Sequence, residues 1–330
     1  MRPTLSVVIP VYNSEDNLIP LHAALTEALG SFTYEVVLVD DRSRDASWHR
    51  IESLVARDPR VIGVRLRRNY GQDGAIMAGL HHARGEYVVI MDDDLQHHPR
   101  DIPALYAEVV KGYDVCFADF PRKLQTPVKN FGSWLGGKVA EIVLRKPPHI
   151  YMSPFKIIQG DVVEELVRYR GPYPFVDGLL FQVTDSVTQV PIEHHPRHAG
   201  RSSTRLRKQI VVFATLATAF SLAPLRVVTV AGFAVSLLSF LLGIFFLVLY
   251  FTQGTGVYGW TSIALMNLFL GGAILTALGI TGEYVGRVLM NVNALPQFTV
   301  EQRIPPRPPP GRAPGSAPAP EGDAGNPAPR

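Results

Sequence analysis

The chain has 330 residues, of which 47% are hydrophobic, and a formal net charge of +3 at pH 7. This length allows two structural units, and the small net charge gives no reason to expect a nucleic-acid partner. Cys116 is the only cysteine, which excludes a disulfide within the chain and fits a reducing compartment.

The first 120 residues alternate between strand patterns and helix patterns. Short apolar runs bounded by Gly or charge predict strands, and the stretches between them predict helices. This alternation is typical of a mostly parallel α/β sheet, in which ligands bind at the carboxyl ends of the strands. The predicted strands are Leu5–Pro10, Glu35–Asp40, Val61–Leu66, Tyr87–Met91 and Asp114–Ala118, and the predicted helices are Asp16–Leu29, Ala46–Arg57, Gln72–Ala83 and Ile102–Lys111.

The fourth predicted strand runs directly into three aspartates. Asp92 and Asp94 lie two residues apart, so both carboxylates leave the same side of an extended backbone. Two such oxygen ligands suit Mg²⁺ or Mn²⁺, whose other positions are filled by phosphate oxygens and water. The alternative is an acidic loop that caps a helix beginning near Pro99 or Asp101.

The pattern is less regular after residue 120. It predicts a helix over 128–144 and strands near 154–158 and 187–194. Residues 207–224 mix basic and apolar side chains, which predicts either a helix at a membrane surface or an extension of a helical bundle. From Ile304 onward there are ten prolines in 27 residues, and this composition predicts disorder.

Two long stretches, Val227–Phe251 and Trp260–Ile280, contain no charged residue. As helices they would reach roughly 37 and 31 Å, against about 30 Å of hydrocarbon in a bilayer. The sequence therefore predicts two transmembrane helices, the alternative being two buried helices of a soluble domain. Basic residues flank the outer ends of the pair, which by the positive-inside rule predicts that both termini are cytoplasmic; these residues are Arg201, Arg205, Arg207, Lys208, Arg226 and Arg287.

Four segments that follow successive predicted strands resemble the motifs of glycosyltransferase family 2. They read VVIPVYNSEDNL, VVLVDDRSRD, RNYGQDGAIMAGL and DDDLQHHP. The match is closer still to the polyprenyl-phosphate branch of that family, through PFVDGLLFQVT, RHAGRSS, SLAPLR and GEYVGR, and it covers roughly residues 5 to 290. The resemblance implies a Rossmann-like catalytic domain of the GT-A type over 1–206, a juxtamembrane amphipathic segment over 207–226, two transmembrane helices within 227–290 (about 227–251 and 260–280) and a C-terminal segment over 291–330.

The resemblance also implies roles for matching residues. The catalytic and metal-binding residues would be Asp92, Asp94 and Gln96. The nucleotide-sugar site would be formed by Pro10, Tyr12, Asn13, Asp40, Asp41, Asn69, Gly71, Gln72 and Asp93. The acceptor phosphate would be bound by Arg122, Lys123, Lys129, Arg197, Arg201 and Ser203. The alternatives are capping of the helix before Ala46 by Asp40 and Asp41, and attraction of the basic residues to anionic lipid.

Three positions depart from the family pattern. Ser14 stands where relatives commonly have Glu, and Arg42 replaces a usually small residue. The segment Ser153–Lys156 matches a D-F-R motif but has no acid, so a catalytic Asp cannot be carried over to it. Asp177 is the nearest remaining acid in a family-like segment, and it could equally be structural. A phosphomonoester acceptor would need no general base, since its second pKa is about 6 and it is mostly dianionic at neutral pH.

These features together predict a membrane-bound, inverting transferase. It would move one sugar from a UDP-sugar, or from a GDP-sugar, to a polyprenyl phosphate (undecaprenyl or dolichyl phosphate) at the cytoplasmic face, and the resemblance implies a homo-oligomer such as a tetramer. A processive polysaccharide synthase is the first alternative, but such enzymes carry a Q-x-x-R-W motif and no tryptophan here follows an arginine. The second alternative is a noncatalytic membrane scaffold, against which the intact acidic motif argues.

Overall fold

The computed structural model shows one mixed sheet with helices on both faces, together with two long helices. The strands are β1 (Leu5–Val11), β2 (Tyr34–Asp40), β3 (Val61–Leu66), β4 (Tyr87–Ile90), β5 (Val115–Asp119), β6 (Lys156–Gln159), β7 (Val187–Pro191) and β8 (Val300–Ile304). The structure describes residues 2–119, 146–148, 150–172, 174–192, 223–253, 259–293 and 296–305.

Eight α-helices accompany these strands within the described ranges. They are α1 (Leu18–Ala28), α2 (Ser47–Arg57), α3 (Gln72–Leu80), α4 (Ile102–Val109), α5 (Gly160–Leu166), α6 (Val176–Val183), α7 (Ala223–Gln253) and α8 (Trp260–Val292). A 3₁₀ turn, Pro99–Asp101, leads directly into α4. The predicted helix over 128–144, most of the juxtamembrane segment and the proline-rich tail after residue 305 lie outside the described residues.

The strand order in the sheet is β7-β5-β6-β4-β1-β2-β3-β8. The central strands β4, β1, β2 and β3 are parallel, as predicted, so their carboxyl ends share one edge. Two strands run against this direction: β6 is antiparallel to β4 and β5, and β8 is antiparallel to β3. The prediction of a mostly parallel α/β sheet is therefore confirmed, with two antiparallel additions from later parts of the chain.

Alternation along the strands divides the core into two layers. Leu5, Val7 and Ile9 of β1 pack with the buried faces of α1, α2 and α4. Val8 of the same strand belongs to the opposite layer, with α3, α5 and α6. This is the outcome expected for strands covered on both faces, because successive side chains point to opposite sides.

Strand β8 was not predicted. Its three central residues, Glu301 to Arg303, are exposed, so the segment has no apolar run of the kind that identified the other strands. It forms because its backbone completes the edge of the sheet beside β3. Strand β8 is therefore determined by tertiary contacts and not by local sequence, since the unpaired edge of β3 can bind another strand through backbone hydrogen bonds.

Both predicted transmembrane stretches are helical, in α7 and α8, and the two helices contact each other. In the part of the chain that the structure describes, one segment, Phe269–Met290, is long and apolar enough to cross a membrane. Apolar side chains on both helices are exposed, among them Phe233 at 73% and Leu275 at 71%. The predicted pair of spans is thus confirmed as helices but not as two membrane crossings.

The packing of α3 against β1 gives a test of the fold. A Cβ added at Gly79 would lie 2.3 Å from Val8 Cγ1 and 3.2 Å from Val39 Cγ2. Gly79→Ala should therefore overpack this layer and lower the free energy of unfolding by about 1–3 kcal/mol, measured by thermal or denaturant unfolding. Gly30→Ala is the matched control, because a Cβ there meets nothing closer than 3.7 Å. Equal stability of the two variants would contradict the packing described.

Candidate active site

Four loops meet at the carboxyl edge of the parallel strands. We name them loop 1 (residues 12–17, after β1), loop 2 (41–46, after β2), loop 3 (67–71, after β3) and loop 4 (91–98, after β4). Strands β4, β1, β2 and β3 are neighbours in that order, so loops 4, 1, 2 and 3 stand side by side. Every described residue that was predicted to bind the metal or the nucleotide sugar lies in these loops or directly beside them.

Loops 1 and 2 are joined by backbone and side-chain hydrogen bonds. The Asn13 N–H donates to Ser43 Oγ at 3.0 Å, and Asn13 Oδ1 accepts from the Arg44 N–H at 2.8 Å. Asp45 accepts from the Ser47 N–H at 3.0 Å, at the start of α2. Asp45 therefore satisfies the helix start, and Asp40 and Asp41 are not needed as caps.

Loops 2 and 3 are joined through Asp41. Its two carboxylate oxygens accept from the N–H groups of Tyr70 and Gly71, at 2.7 and 2.9 Å. Desolvation by burial raises the pKa of Asp41 to about 6, although both hydrogen bonds act in the opposite direction. In this structure the carboxylate of Asp41 holds loop 3 in place.

Two further contacts involve loop 4. The Gln72 side-chain amide, at the first residue of α3, donates to Asp92 Oδ1 at 2.6 Å. The Asp93 carboxylate lies near Ser14 and Tyr12 of loop 1, whose polar groups lower its pKa, but burial is the larger effect and raises that pKa to about 6. Hydrogen bonds thus join loop 1 to loop 2, loop 2 to loop 3 and the start of α3 to loop 4, and we call these four loops the loop ring.

Asp92 and Asp94 fit a divalent ion better than a helix cap. His98 caps the 3₁₀ turn, because its Nδ1 accepts from the Arg100 N–H, so the aspartates are not required there. Asp94 Oδ1 accepts from the Gln96 N–H at 3.1 Å. The side chains of Asp92, Asp94 and Gln96 are all partly exposed. Among the described residues no group of three or more His, Cys, Asp and Glu could hold a metal. Two carboxylates are nevertheless the usual protein share of a Mg²⁺ or Mn²⁺ site completed by phosphate.

Backbone strain is concentrated in the same loops. Within the described residues three non-glycine residues have a positive φ: Asn13 at 53°, Arg42 at 63° and Leu95 at 58°. They lie in loops 1, 2 and 4 respectively. Such conformations are unfavourable and persist where surrounding contacts enforce them, often at functional sites. Arg42 thus occupies a backbone position suited to the small residue that the family usually has.

A cluster of charged residues lies beside the end of β4, directly before loop 4. Lys156 is 2% exposed, pairs in register with Ile90 at the end of β4, and forms an ion pair with Asp177. Asp73 Oδ1 accepts from the Val176 N–H at 3.1 Å, and its pKa is raised to about 6, chiefly by desolvation and also by the charge of Asp177. Asp73 was missed by sequence reasoning, because an acid in the first turn of a helix is unremarkable by itself.

The other predicted residues divide into three groups. Tyr12 and Asn69 are exposed at the rim, and Pro10 is partly exposed. Asp40 is fully buried, and its Oδ1 accepts from the Ser43 N–H at 3.1 Å. All six residues predicted to bind the acceptor phosphate lie outside the described residues: Arg122, Lys123, Lys129, Arg197, Arg201 and Ser203.

Comparison with known proteins identifies the family of the chain and agrees with this fold. The sequence model of glycosyl transferase family 2 matches residues 6–166. The undecaprenyl-phosphate 4-deoxy-4-formamido-L-arabinose transferase of Shewanella sediminis is 32% identical over 304 residues, covering 90% of this chain and 91% of that protein. The protein of the same name from Pseudomonas fluorescens is 32% identical over 317 residues, covering 92% of each chain.

A solved structure shows the same fold at low identity. The glucosyl-3-phosphoglycerate synthase of Mycobacterium tuberculosis, in complex with Mn²⁺, UDP and phosphoglyceric acid, has a TM-score of 0.50 and 15% identity, covering 66% of this chain and 76% of that one. The described domain therefore has a Rossmann-like fold of the GT-A type. The chain belongs to glycosyl transferase family 2 and is a glycosyltransferase.

The charge cluster predicts a pH-dependent effect of Asp73→Asn. The folded protein keeps the Asp73 proton up to about pH 6, whereas the unfolded chain loses it near 3.8, so ionisation of Asp73 opposes folding as the pH rises through this range. Asparagine keeps the acceptor for Val176 and removes the charge. The variant should gain roughly 2 kcal/mol over the wild type at pH 8 and much less at pH 4.

Thermal unfolding across this pH range measures the effect. Asp185→Asn, at an exposed acid, is the control and should show no such trend. A stability difference for Asp73→Asn that is constant with pH would show that the pKa of Asp73 is not raised as described.

Proposed function

We propose that the protein transfers a single sugar from a nucleotide-diphosphate sugar to undecaprenyl phosphate, with inversion at the anomeric carbon. The observation that carries the proposal is the loop ring, which places Asp92 and Asp94 beside the loops that the family uses for its donor. The named relatives match nine-tenths of the chain, including the long helices, and this supports the same acceptor class.

The donor half of the proposal depends on loops 1 to 4. Asp92, Asp94 and Gln96 would hold Mg²⁺ or Mn²⁺, and the metal would neutralise charge on the donor diphosphate. The solved relative contains Mn²⁺ and UDP, which supports a divalent ion and favours UDP over GDP. Gln72 fixes Asp92 from the side, so its role is to orient that carboxylate before the donor arrives.

The acceptor half needs no catalytic base in this chain. The lipid phosphate is already mostly dianionic at neutral pH, and one of its oxygens would attack the anomeric carbon as the bond to the nucleotide diphosphate breaks. Asp177 is engaged by buried Lys156, which favours a structural role for this acid. Binding of the acceptor phosphate by the six basic and hydroxyl residues named above is part of the proposal.

The return of β8 to the sheet restricts the membrane topology. Both β7 and β8 belong to the sheet that holds the loop ring, so the chain between residues 192 and 300 must cross a membrane an even number of times. If Phe269–Met290 crosses, a second crossing is needed, and α7 is the other long apolar helix in the described chain. We therefore propose two spans, with the catalytic domain and both chain termini on the cytoplasmic face.

The catalytic role of Asp94 is directly testable. Membranes containing Asp94→Ala should form less than about one-hundredth of the wild-type lipid-linked sugar, because one of the two metal carboxylates is lost. The measurement is radiolabel in organic-extractable lipid after incubation with a panel of UDP- and GDP-sugars. Chelation with EDTA should abolish wild-type turnover, and added Mg²⁺ or Mn²⁺ should restore it.

Asp16→Asn serves as the control for this test, because Asp16 is an exposed acid of loop 1. It should retain wild-type turnover. Unchanged turnover of Asp94→Ala in correctly inserted protein would reject the metal assignment, and the absence of labelled lipid with every donor would reject the proposed reaction.

The proposed topology predicts which positions are reached from outside an intact cell. Cys116 is buried and gives the unlabelled background. A cysteine at Thr255, between the two helices in sequence, should react with a membrane-impermeant maleimide without permeabilisation. A cysteine at Gln302, exposed on β8, should react only after permeabilisation. The reverse pattern, or equal labelling of both positions in intact cells, would overturn the two-span arrangement.

A further inference from the structure

The segment that follows α8 lies at the edge of the sheet, beside β3 and loop 3. We call residues 297–304 the strap. Thr299 Oγ1 accepts from the Tyr70 hydroxyl at 3.0 Å, and the carbonyl oxygen of Thr299 accepts from the Arg67 N–H at 2.8 Å. The strap is therefore hydrogen-bonded to loop 3, which contains both Arg67 and Tyr70.

Glu301 occupies an irregular position within the strap. Arg65 of β3 pairs with Gln302 and the next residue, Leu66, pairs with Val300, so Glu301 is an extra residue with no partner on β3. A bulge of this kind redirects the side chain of the unpaired residue and is common beside functional sites. Here the Glu301 carboxylate forms ion pairs with Arg42 of loop 2 and with Arg65, whose Nε lies 3.6 Å away.

Arg65 lies between two acids that compete for it. Its Nε is 3.4 Å from Asp40 Oδ2 on one side and 3.6 Å from the Glu301 carboxylate on the other. Neither Arg65 Nε nor Asp40 Oδ2 has a hydrogen-bond partner among the described residues, and both atoms are buried. An unsatisfied buried pair at this distance would close into a hydrogen bond if the opposing attraction were removed.

Removal of Glu301 would change the shape of loop 2 in two ways. Arg65 would close on Asp40 Oδ2 and shift the carboxylate whose other oxygen, Oδ1, accepts from the Ser43 N–H. Arg42, which is held in a strained left-handed conformation, would lose its ion-pair partner. Both changes would affect loop 2, which adjoins Asp40 and contains Asp41, two residues that the family resemblance assigns to the nucleotide-sugar site.

We propose that the strap is a working part of the donor pocket and that Glu301 is a positioning residue for nucleotide binding. It acts through Arg42 and Arg65 on loop 2, and it touches neither the reacting atoms nor the acceptor. This inference rests on the proposed function, because it assumes that loop 2 faces a nucleotide. The chain that emerges from α8 thereby sets the affinity of the domain for its donor.

The test measures nucleotide binding and turnover on the full-length protein in detergent. The probes are UDP and GDP with Mn²⁺, and uridine without metal, which reports on the base and ribose end alone. Glu301→Ala and the nearly isosteric Glu301→Gln should each weaken binding of the preferred nucleotide about tenfold and raise the donor KM by a similar factor. The kcat and the KM for lipid phosphate should stay within about twofold of the wild type.

A double-mutant cycle tests whether the effect passes through Arg65. In an Arg65→Met background, Glu301→Gln should weaken nucleotide binding by clearly less than it does in the wild type, since the residue that it restrains is absent. Glu165→Gln, which breaks an exposed ion pair with Arg168 at the end of α5, is the matched control and should leave donor binding unchanged.

The outcomes distinguish the two levels of the proposal. Nucleotide binding that Glu301→Ala and Glu301→Gln leave within twofold of the wild type overturns the positioning role alone. A loss of thermal stability and kcat without a change in donor KM also overturns it, because that is the result expected for a purely structural edge strand. Failure of the wild-type protein to bind UDP, GDP or uridine overturns the proposed function and this inference with it.

Discussion

The site depends on one constraint, which is that four separate loops are tied to one another at the edge of the sheet. The parallel strands bring the loops side by side, but adjacency alone would leave each loop free to move. Three side chains supply the links: Asn13 joins loops 1 and 2, Asp41 joins loops 2 and 3, and Gln72, directly after loop 3, binds Asp92 of loop 4. A surface of this kind can hold a charged ligand without first being reorganised, which is the condition for effective electrostatic catalysis.

The same links are maintained against an energetic penalty. Asp41, Asp73 and Asp93 are acids whose burial raises the pKa to about 6, so their ionised forms are destabilised in the folded protein at neutral pH. Three residues of the loops also have a positive φ. The large two-layer core around the sheet stabilises the domain enough to tolerate these local costs. This explains why unfavourable features are concentrated at the carboxyl edge and not spread over the sheet.

The sequence was sufficient for the parts of the fold that depend on local pattern. Strand β3 was predicted with its observed bounds, and β1, β2 and β4 differ by one residue at an end. Helices α5 and α6 and strand β8 were missed, because the two helices have only seven and eight residues and β8 has an exposed polar centre. Because each motif follows a predicted strand, the sequence also predicted that loops 1 to 4 meet at the carboxyl edge of the sheet, as observed.

The side-chain contacts within the site could not be predicted in the same way. A motif match labels Asp41 only as a nucleotide-binding residue, whereas the structure also shows that its two oxygens accept from the N–H groups of Tyr70 and Gly71 in loop 3. The cluster of Lys156, Asp177 and Asp73 joins residues more than 80 positions apart. Contacts of this kind follow from the packing of β6 and α6 against α3, and no periodicity in the sequence reports them.

A reaction between a soluble donor and a lipid acceptor requires a donor pocket at a fixed distance from the membrane. The structure offers a simple physical basis for this, because only residues 293–296 separate the end of α8 from the strap. A link of this length spans at most roughly 17 Å, so the strap cannot move far from the end of the helix. Thr299 and Glu301 then connect the strap to loops 3 and 2. Helix α8, which we propose to cross the membrane, is therefore tethered to loops 2 and 3, which we propose to bind the nucleotide. Movement of the helix would shift these loops, and movement of the loops would shift the helix.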